Sequence, residues 1–255
     1  MITYNVSEEI ATVTIDDPVR RNPLSLETMA QLTDSVRQAA LDSGVRVIVL
    51  TGAGDVAFSA GGDLAGGFVD SPLPDHQARG VLADLFRAMR SAPKPIVGRI
   101  NGLALGGGFG VAAACDITIA SDQARFGTPE INLGLWPMMI STVLLPLVPR
   151  KQLLEMMLVG RIIDATEARN LGIVTSVVPA IELDDAVAET TATLCSKSPA
   201  ALALGKSSFY AMEGMDFDTA LDHLHIGLTA ASFTEDAAEG VQAFIEKRPP
   251  NWKGR

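Results

Sequence analysis

Two glycine-dense turns, each following an apolar run, constrain this chain more than any other feature. Phe58-Ser59-Ala60-Gly61-Gly62-Asp63 comes after the run that ends at Leu50, and Asn101-Gly102-Leu103-Ala104-Leu105-Gly106-Gly107-Gly108 after the run that ends at Ile100. Glycine at such positions lets backbone approach another group with no Cβ in the way, so each turn is expected to present bare amides. A third segment, Phe126-Gly127-Thr128-Pro129-Glu130, ends in a carboxylate. Its apolar followers Ile131, Leu133, Leu135 and Trp136 are expected to desolvate that acid and raise its pKa toward the range of a general base. Backbone N–H groups aimed at one point suit a developing oxyanion. With one raised acid beside them, they suit chemistry that passes through an enolate.

The rest of the chain supplies a scaffold for these turns. Alternation in Ile2-Tyr4-Val6 and Ile10-Thr12-Thr14 around Ser7-Glu8-Glu9 predicts an opening β-hairpin on an exposed edge. Ser25 is a candidate N-cap for a helix with Leu26, Met29, Ala30, Val36 and Ala40 on one face, closed by Gly44. Val45 to Leu50, Pro95 to Ile100 and Asp116 to Ala120 read as strands, with a helix over about Asp75 to Arg90 between the first two. Strands separated by helices imply right-handed crossovers and a largely parallel sheet, whose ligands gather at the carboxyl ends of strands. Both glycine turns fall there. Beyond about Pro199 the pattern is helical throughout: Ala200 to Met212, Phe217 to Ala231 and Glu235 to Lys247. Trp252, in the stiff tail Pro249 to Arg255, is expected to be covered, with another subunit a candidate cover.

A chain of 255 residues, 47% hydrophobic and 20% charged, has enough material for one sizeable core and a smaller appendage. Its net charge of −10 argues against a broad nucleic-acid surface, which needs clustered Lys and Arg. Cys115 and Cys195 stand far apart in apolar or helical contexts and read as reduced, buried thiols. No run reaches the ~20 apolar residues of a membrane span, and the N-terminus has no signal-peptide pattern, which assigns the chain to the cytoplasm with no membrane partner.

Rival motifs fail on spacing. A dinucleotide fingerprint starting at Gly106-x-Gly108 needs Gly or Ala at 111, where Val111 stands. Gly205-Lys206-Ser207 imitates a phosphate loop, but Ala200 stands where the leading glycine belongs and the segment is mid-helix. His223 and His225 sit two apart on a helix and point to different faces, a poor metal pair. His76 falls beside the proline-flanked Ser71-Pro72-Leu73-Pro74. Asp63 is expected to cap the next helical turn and Asp116 to accept local backbone bonds. Taken alone, the triple glycine at 106 to 108 reads as a tight packing turn. A helix beginning near Gly108 would instead leave partnerless N–H groups that favour an anionic oxygen.

In this order the three segments resemble those of the crotonase, or enoyl-CoA hydratase/isomerase, superfamily. The resemblance runs from the N-terminal hairpin through Pro179 and reappears in the tail Glu246 to Arg255. It implies an α/β fold, a crotonase-like spiral of ββα units with a helical C-terminal region. The division would be an acyl-CoA-binding core at residues 1–198 and a helical, oligomerising region at 199–255, assembled as a homotrimer or a dimer of trimers. It implies an acyl-CoA thioester substrate, with coenzyme A part of that substrate, no separate cofactor and no metal. By the likeness the amides of Gly62 and Gly107 grip the thioester carbonyl and Glu130 handles the proton. The adenine would lie beside the loop of Phe58, Ala60, Gly61 and Gly62, with Asp63 and Leu64 following and Arg20 or Arg21 near the phosphates. Gly106, Gly110, Pro129, Leu133, Trp136 and Met138 complete the implied substrate-binding set.

Two departures narrow the reading. Hydratases of the superfamily carry a glutamate at the position of Gly110 and a second at that of Glu130, and here only Glu130 remains. Adding water across a double bond is work normally shared by two carboxylates. One carboxylate can still lift a proton from C2 and return it at C4, a Δ3 to Δ2 migration through a dienolate. The alternatives are a hydratase using Glu130 alone and a non-catalytic acyl-CoA-binding protein. The second departure is Leu135-Trp136-Pro137-Met138-Met139-Ile140, which stands where many relatives have a glycine-rich stretch and serves either as core or as acyl-pocket lining.

Overall fold

The computed structural model describes residues 1–63, 76 and 79–255. The chain opens with the expected hairpin, β1 (Ile2–Ser7) against β2 (Ile10–Ile15). Glu8 and Glu9 both take positive φ, at 51° and 65°, the twist a two-residue hairpin turn requires. Helix α1 (Leu26–Leu41) follows, with the Ser25 hydroxyl accepting from the Thr28 amide at 3.1 Å. Its C-cap is Asp42, two residues before the expected Gly44, whose amide instead donates to the Asp42 carboxylate.

Three ββα repeats then build two sheets. Strands β3 (Val47–Gly52), β5 (Ile96–Ile100) and β7 (Ile117–Ser121) enter one sheet, ordered β1-β2-β3-β5-β7 and closed by β10 (Ser176–Val178). After each of the three the chain turns a corner into a short strand of a second sheet: β4 (Ala57–Ser59), β6 (Leu103–Leu105) and β8 (Arg125–Gly127), with β9 (Ile162–Asp164) at the edge. Among the described residues, all strand pairing except β1–β2 and β8–β9 is parallel. Helix α2 (Val81–Ser91) and helix α3 (Gly107–Ala113) return the chain to the larger sheet. The spiral of ββα units is thus the fold. The corner before β6 is tight: a Cβ on Gly102 would come within 2.2 Å of the Val56 carbonyl oxygen, so only glycine fits.

Strand β3 (VIVLTG), in the middle of the larger sheet, is buried along its whole length, as parallel strands covered on both faces are, whereas β2 alternates between buried and half-buried residues and β1 at the edge is mostly exposed. Val47, Val49, Val97 and Ile119 pack against helix α7 (Leu183–Cys195) through Leu183 and Val187. Between β8 and β10 come α4 (Ser141–Leu144), α5 (Arg150–Val159) and α6 (Ala165–Asn170).

The C-terminal helices fall close to their expected positions, as α8 (Pro199–Ala211), α9 (Phe217–Ser232) and α10 (Glu235–Glu246). Asp116 does accept a backbone bond, from the Ile96 amide at 2.7 Å, but it also reaches across 90 residues to Lys206 Nζ at 2.6 Å and takes the Tyr210 hydroxyl at 2.8 Å. It clamps α8 to the core. Trp252 is covered by its own chain: Nε1 donates to the Ser196 carbonyl at 2.8 Å and the ring lies on Gly240. Cys115 is buried, whereas Cys195 is half-buried, and both are free thiols. Among the described residues no helix is long and apolar enough to cross a membrane.

Candidate active site

Strands β4, β6 and β8 lie side by side and run parallel, so the three segments singled out in the sequence leave the same edge of one small sheet. Gly62 stands three residues past β4, Gly107 two past β6 and Glu130 three past β8. The first loop is tied down on one side by a parallel bridge between Leu24 and Gly62: the Leu24 amide donates to the Gly61 carbonyl at 2.8 Å and the Asp63 amide to the Leu24 carbonyl at 3.1 Å. That pairing leaves the Gly62 N–H turned away from β-type contact. Gly107 is the first residue of α3, where N–H groups have no helical acceptor. Among the described residues neither amide has a partner.

Close approach of the loops depends on missing side chains. A Cβ on Gly61, whose φ is +102°, would sit 2.9 Å from the Leu105 carbonyl oxygen, and one on Gly108 would meet the Ser59 carbonyl oxygen at 2.5 Å. Segments 59–61 and 105–108 are therefore in direct contact. The Gly106 amide donates to the Gly127 carbonyl at 2.9 Å, which joins the second segment to the third.

Glu130 lies in a 3₁₀ turn, Pro129–Leu133. Its carboxylate rests against Gly106: Oε1 is 3.0 Å from where a Cβ on that glycine would be. The other oxygen, Oε2, is buried with no hydrogen-bond partner. Burial pushes the carboxyl above the usual glutamate range, partly offset by a bond from its own amide. A partnerless buried carboxylate oxygen calls for an explanation, and proton exchange with a ligand is one.

Over residues 5–255 the sequence matches the family Enoyl-CoA hydratase/isomerase. The chain belongs to that family. The crotonyl-CoA hydratase of Syntrophomonas wolfei is 35% identical over 257 residues, covering 98% of this chain and 97% of that protein. Enoyl-CoA hydratase domain-containing protein 3, mitochondrial, of Mus musculus is 34% identical across 95% of this chain and 81% of its own length. A crystal structure of enoyl-CoA hydratase from Mycobacterium smegmatis superposes with a TM-score of 0.94 at 32% identity, covering 98% of each chain. As a member of the enoyl-CoA hydratase/isomerase family the chain is an enzyme.

Within this family member the remaining sequence-predicted residues divide. Phe58 is fully buried and anchors the first loop, and the Ala60 amide donates to the Arg21 carbonyl at 2.9 Å. Arg20 is exposed but engaged, with Asp17 at 2.6 Å and Asp63 at 3.0 Å. Asp63 thus pairs with Arg20, and the turn it was expected to cap, like Leu64 and the segment Ser71 to Pro74, lies outside the described residues. His76 is helical and exposed. Leu133 is 60% exposed and does not shield Glu130 as expected; Met138 is 71% exposed, while Trp136 and Met139 pack against the main core. Gly110 is buried under other side chains. A cavity of about 360 Å³ lies elsewhere, between α8 and the core beside Asp116, Leu194 and Phe209.

Asn22 went unnoticed in the sequence. It is fully buried, and its Nδ2 donates to the carbonyls of Ala57 at 2.7 Å and Ala53 at 3.0 Å, so it sets the path of β4 and the loop beyond. Its signal was the Asn-Pro step at residues 22 and 23, a turn former. Asn101 holds the same strand from the other side, donating to Gly54 and Ala57.

Proposed function

We propose that this enzyme moves the double bond of an enoyl-CoA thioester from Δ3 to Δ2. Glu130 takes a proton from C2, the amides of Gly62 and Gly107 hold the resulting dienolate oxygen, and Glu130 returns the proton at C4. In this reading coenzyme A is part of the substrate and no separate cofactor takes part. The observation that carries it is Glu130 itself, a single carboxylate with a buried, unpartnered oxygen set beside Gly106 and the start of α3. A raised pKa makes such an acid a stronger base once ionised, and each amide donor supplies roughly 2.7–4 kcal/mol of transition-state stabilisation.

Hydration of a 2-enoyl-CoA by Glu130 alone is the second reading. It is favoured by the names of relatives, among them the Syntrophomonas wolfei crotonyl-CoA hydratase and the short-chain-enoyl-CoA hydratase of Clostridium acetobutylicum, 34% identical across 94% of this chain. A panel of 2-enoyl, 3-enoyl and 3-hydroxyacyl CoA esters in D2O separates the two. Conjugated product from a 3-enoyl ester supports isomerisation, with any label at C4 showing how far the carried proton exchanges, 3-hydroxyacyl product as the main outcome supports hydration, and no change in any ester leaves a binding protein.

We also infer assembly of three chains, or two sets of three. Support comes from the apolar side chains that α9, α10 and the link between them leave exposed, Phe217, Phe233 and Phe244 among them.

A further inference from the structure

Gly106 caps α3 and Gly110 lies one turn on, its amide donating to the Gly106 carbonyl at 3.1 Å, so the two share a helix face. What covers that face changes sharply along it. Over Gly106 stands the Glu130 carboxylate. Over Gly110 the three nearest described atoms are hydrocarbon: a Cβ there would meet Ile140 Cγ2 at 2.4 Å, Ile140 Cβ at 2.9 Å and Phe86 Cζ at 3.0 Å. Ile140 and Phe86 are both buried, and they come from separate elements, the turn before α4 and helix α2. The nearest hydroxyl in sequence, Ser141, is already committed to the Pro137 carbonyl at 2.6 Å. A stable buried water needs room and two to four polar partners, and the described atoms nearest to a Cβ at Gly110 provide neither.

We propose that Ile140, backed by Phe86, is a specificity-determining residue: a dry wall over Gly110 that denies water a place beside Glu130 and so selects double-bond migration over hydration. Isomerisation breaks a C–H bond at C2 and makes one at C4 with the same proton and no water. Hydration joins the oxygen of water to C3 and a proton to C2, and it needs a water held near the acid. The inference rests on Glu130 acting as the base.

The test compares wild type with Ile140→Ala and the conservative Ile140→Val, each checked for a cooperative unfolding transition. Each is given a 3-enoyl-CoA and a 2-enoyl-CoA in ¹⁸O water, and the ratio of ¹⁸O-labelled 3-hydroxyacyl-CoA to isomerised ester is read by mass. Ile140→Ala is expected to raise that ratio about tenfold, the scale on which one pocket side chain shifts discrimination, with Ile140→Val near wild type. An unchanged ratio in folded Ile140→Ala overturns the proposal. Should that variant not fold, Phe86→Leu opens the same spot, and an unchanged ratio there overturns it equally. Wild-type isomerisation is compared with that of Glu130→Gln alongside: equal rates refute the base reading, whereas loss of turnover in that variant with an unmoved Ile140→Ala ratio refutes only the wall.

Discussion

Burial of Glu130 acts on catalysis and stability in opposite directions. Because folding raises its pKa above the unfolded value of 4.5, the protonated form is favoured in the native state. That contribution is complete below the ordinary glutamate range and is lost as pH rises through the raised value. Glu130→Gln, which cannot ionise, is therefore expected to melt higher than wild type near about pH 8 and to lose that advantage near about pH 4, a comparison that thermal unfolding makes directly. For the same reason the acid limb of kcat/KM is expected to lie above 4.5. Gly106→Ala probes the acid's seat. At φ 51° and ψ −123° the new Cβ is strained and presses on Oε1 at 3.0 Å, so kcat should fall by about 10²-fold while KM moves less. At this scale the meeting of the segments that carry Glu130, Gly62 and Gly107 was legible because their motifs are local. Ile140, Phe86 and Asn22 were not, because what matters about them is which distant residue they touch.

Elements were easier to read than their ends. The strands β3, β5 and β7 stood out as apolar runs, and the C-terminal helices as periodic segments, whose N-caps prove to be Ser198, Asp216 and Thr234. The three short strands β4, β6 and β8 were hidden inside glycine-rich segments, and with them the second sheet, since three residues carry no period. That Trp252 is covered was legible, but what holds the tail was not, because a long-range clasp has no local pattern. Asp236 is buried at the start of α10, and its carboxylate accepts from the Ser198 hydroxyl at 2.6 Å and the amides of Lys253 at 2.6 Å and Gly254 at 3.0 Å. Burial alone would raise its pKa, but these donors outweigh it and hold the carboxyl below the ordinary value. Asp236→Ala is expected to destabilise the protein by about 2–3 kcal/mol in urea unfolding and to expose the tail to proteolysis. The stabilisation is present above an unfolded pKa of 3.8 and is lost as pH falls through the lowered one.

For the whole molecule, charge and apolar surface point to different conclusions. A net charge of −10 favours solubility, yet Phe217, Phe233 and Phe244 are 77%, 85% and 84% exposed on the C-terminal helices and the link between them. Surfaces of that kind mark contacts between chains. Sedimentation velocity is expected to give a trimer or hexamer mass for wild type, and a smaller species for the triple change to serine at these positions. A monomeric wild type would leave the apolar surface without its proposed partner.

Proton traffic through one carboxylate is what joins the three scales. The direct measurement is single-turnover conversion of a 3-enoyl-CoA in D2O by wild type and Glu130→Gln, with ester binding determined separately for each. Wild type should give the conjugated ester, and the variant should bind the ester as well but turn over about 10²–10⁴-fold more slowly. Equal rates would show that another group carries the proton.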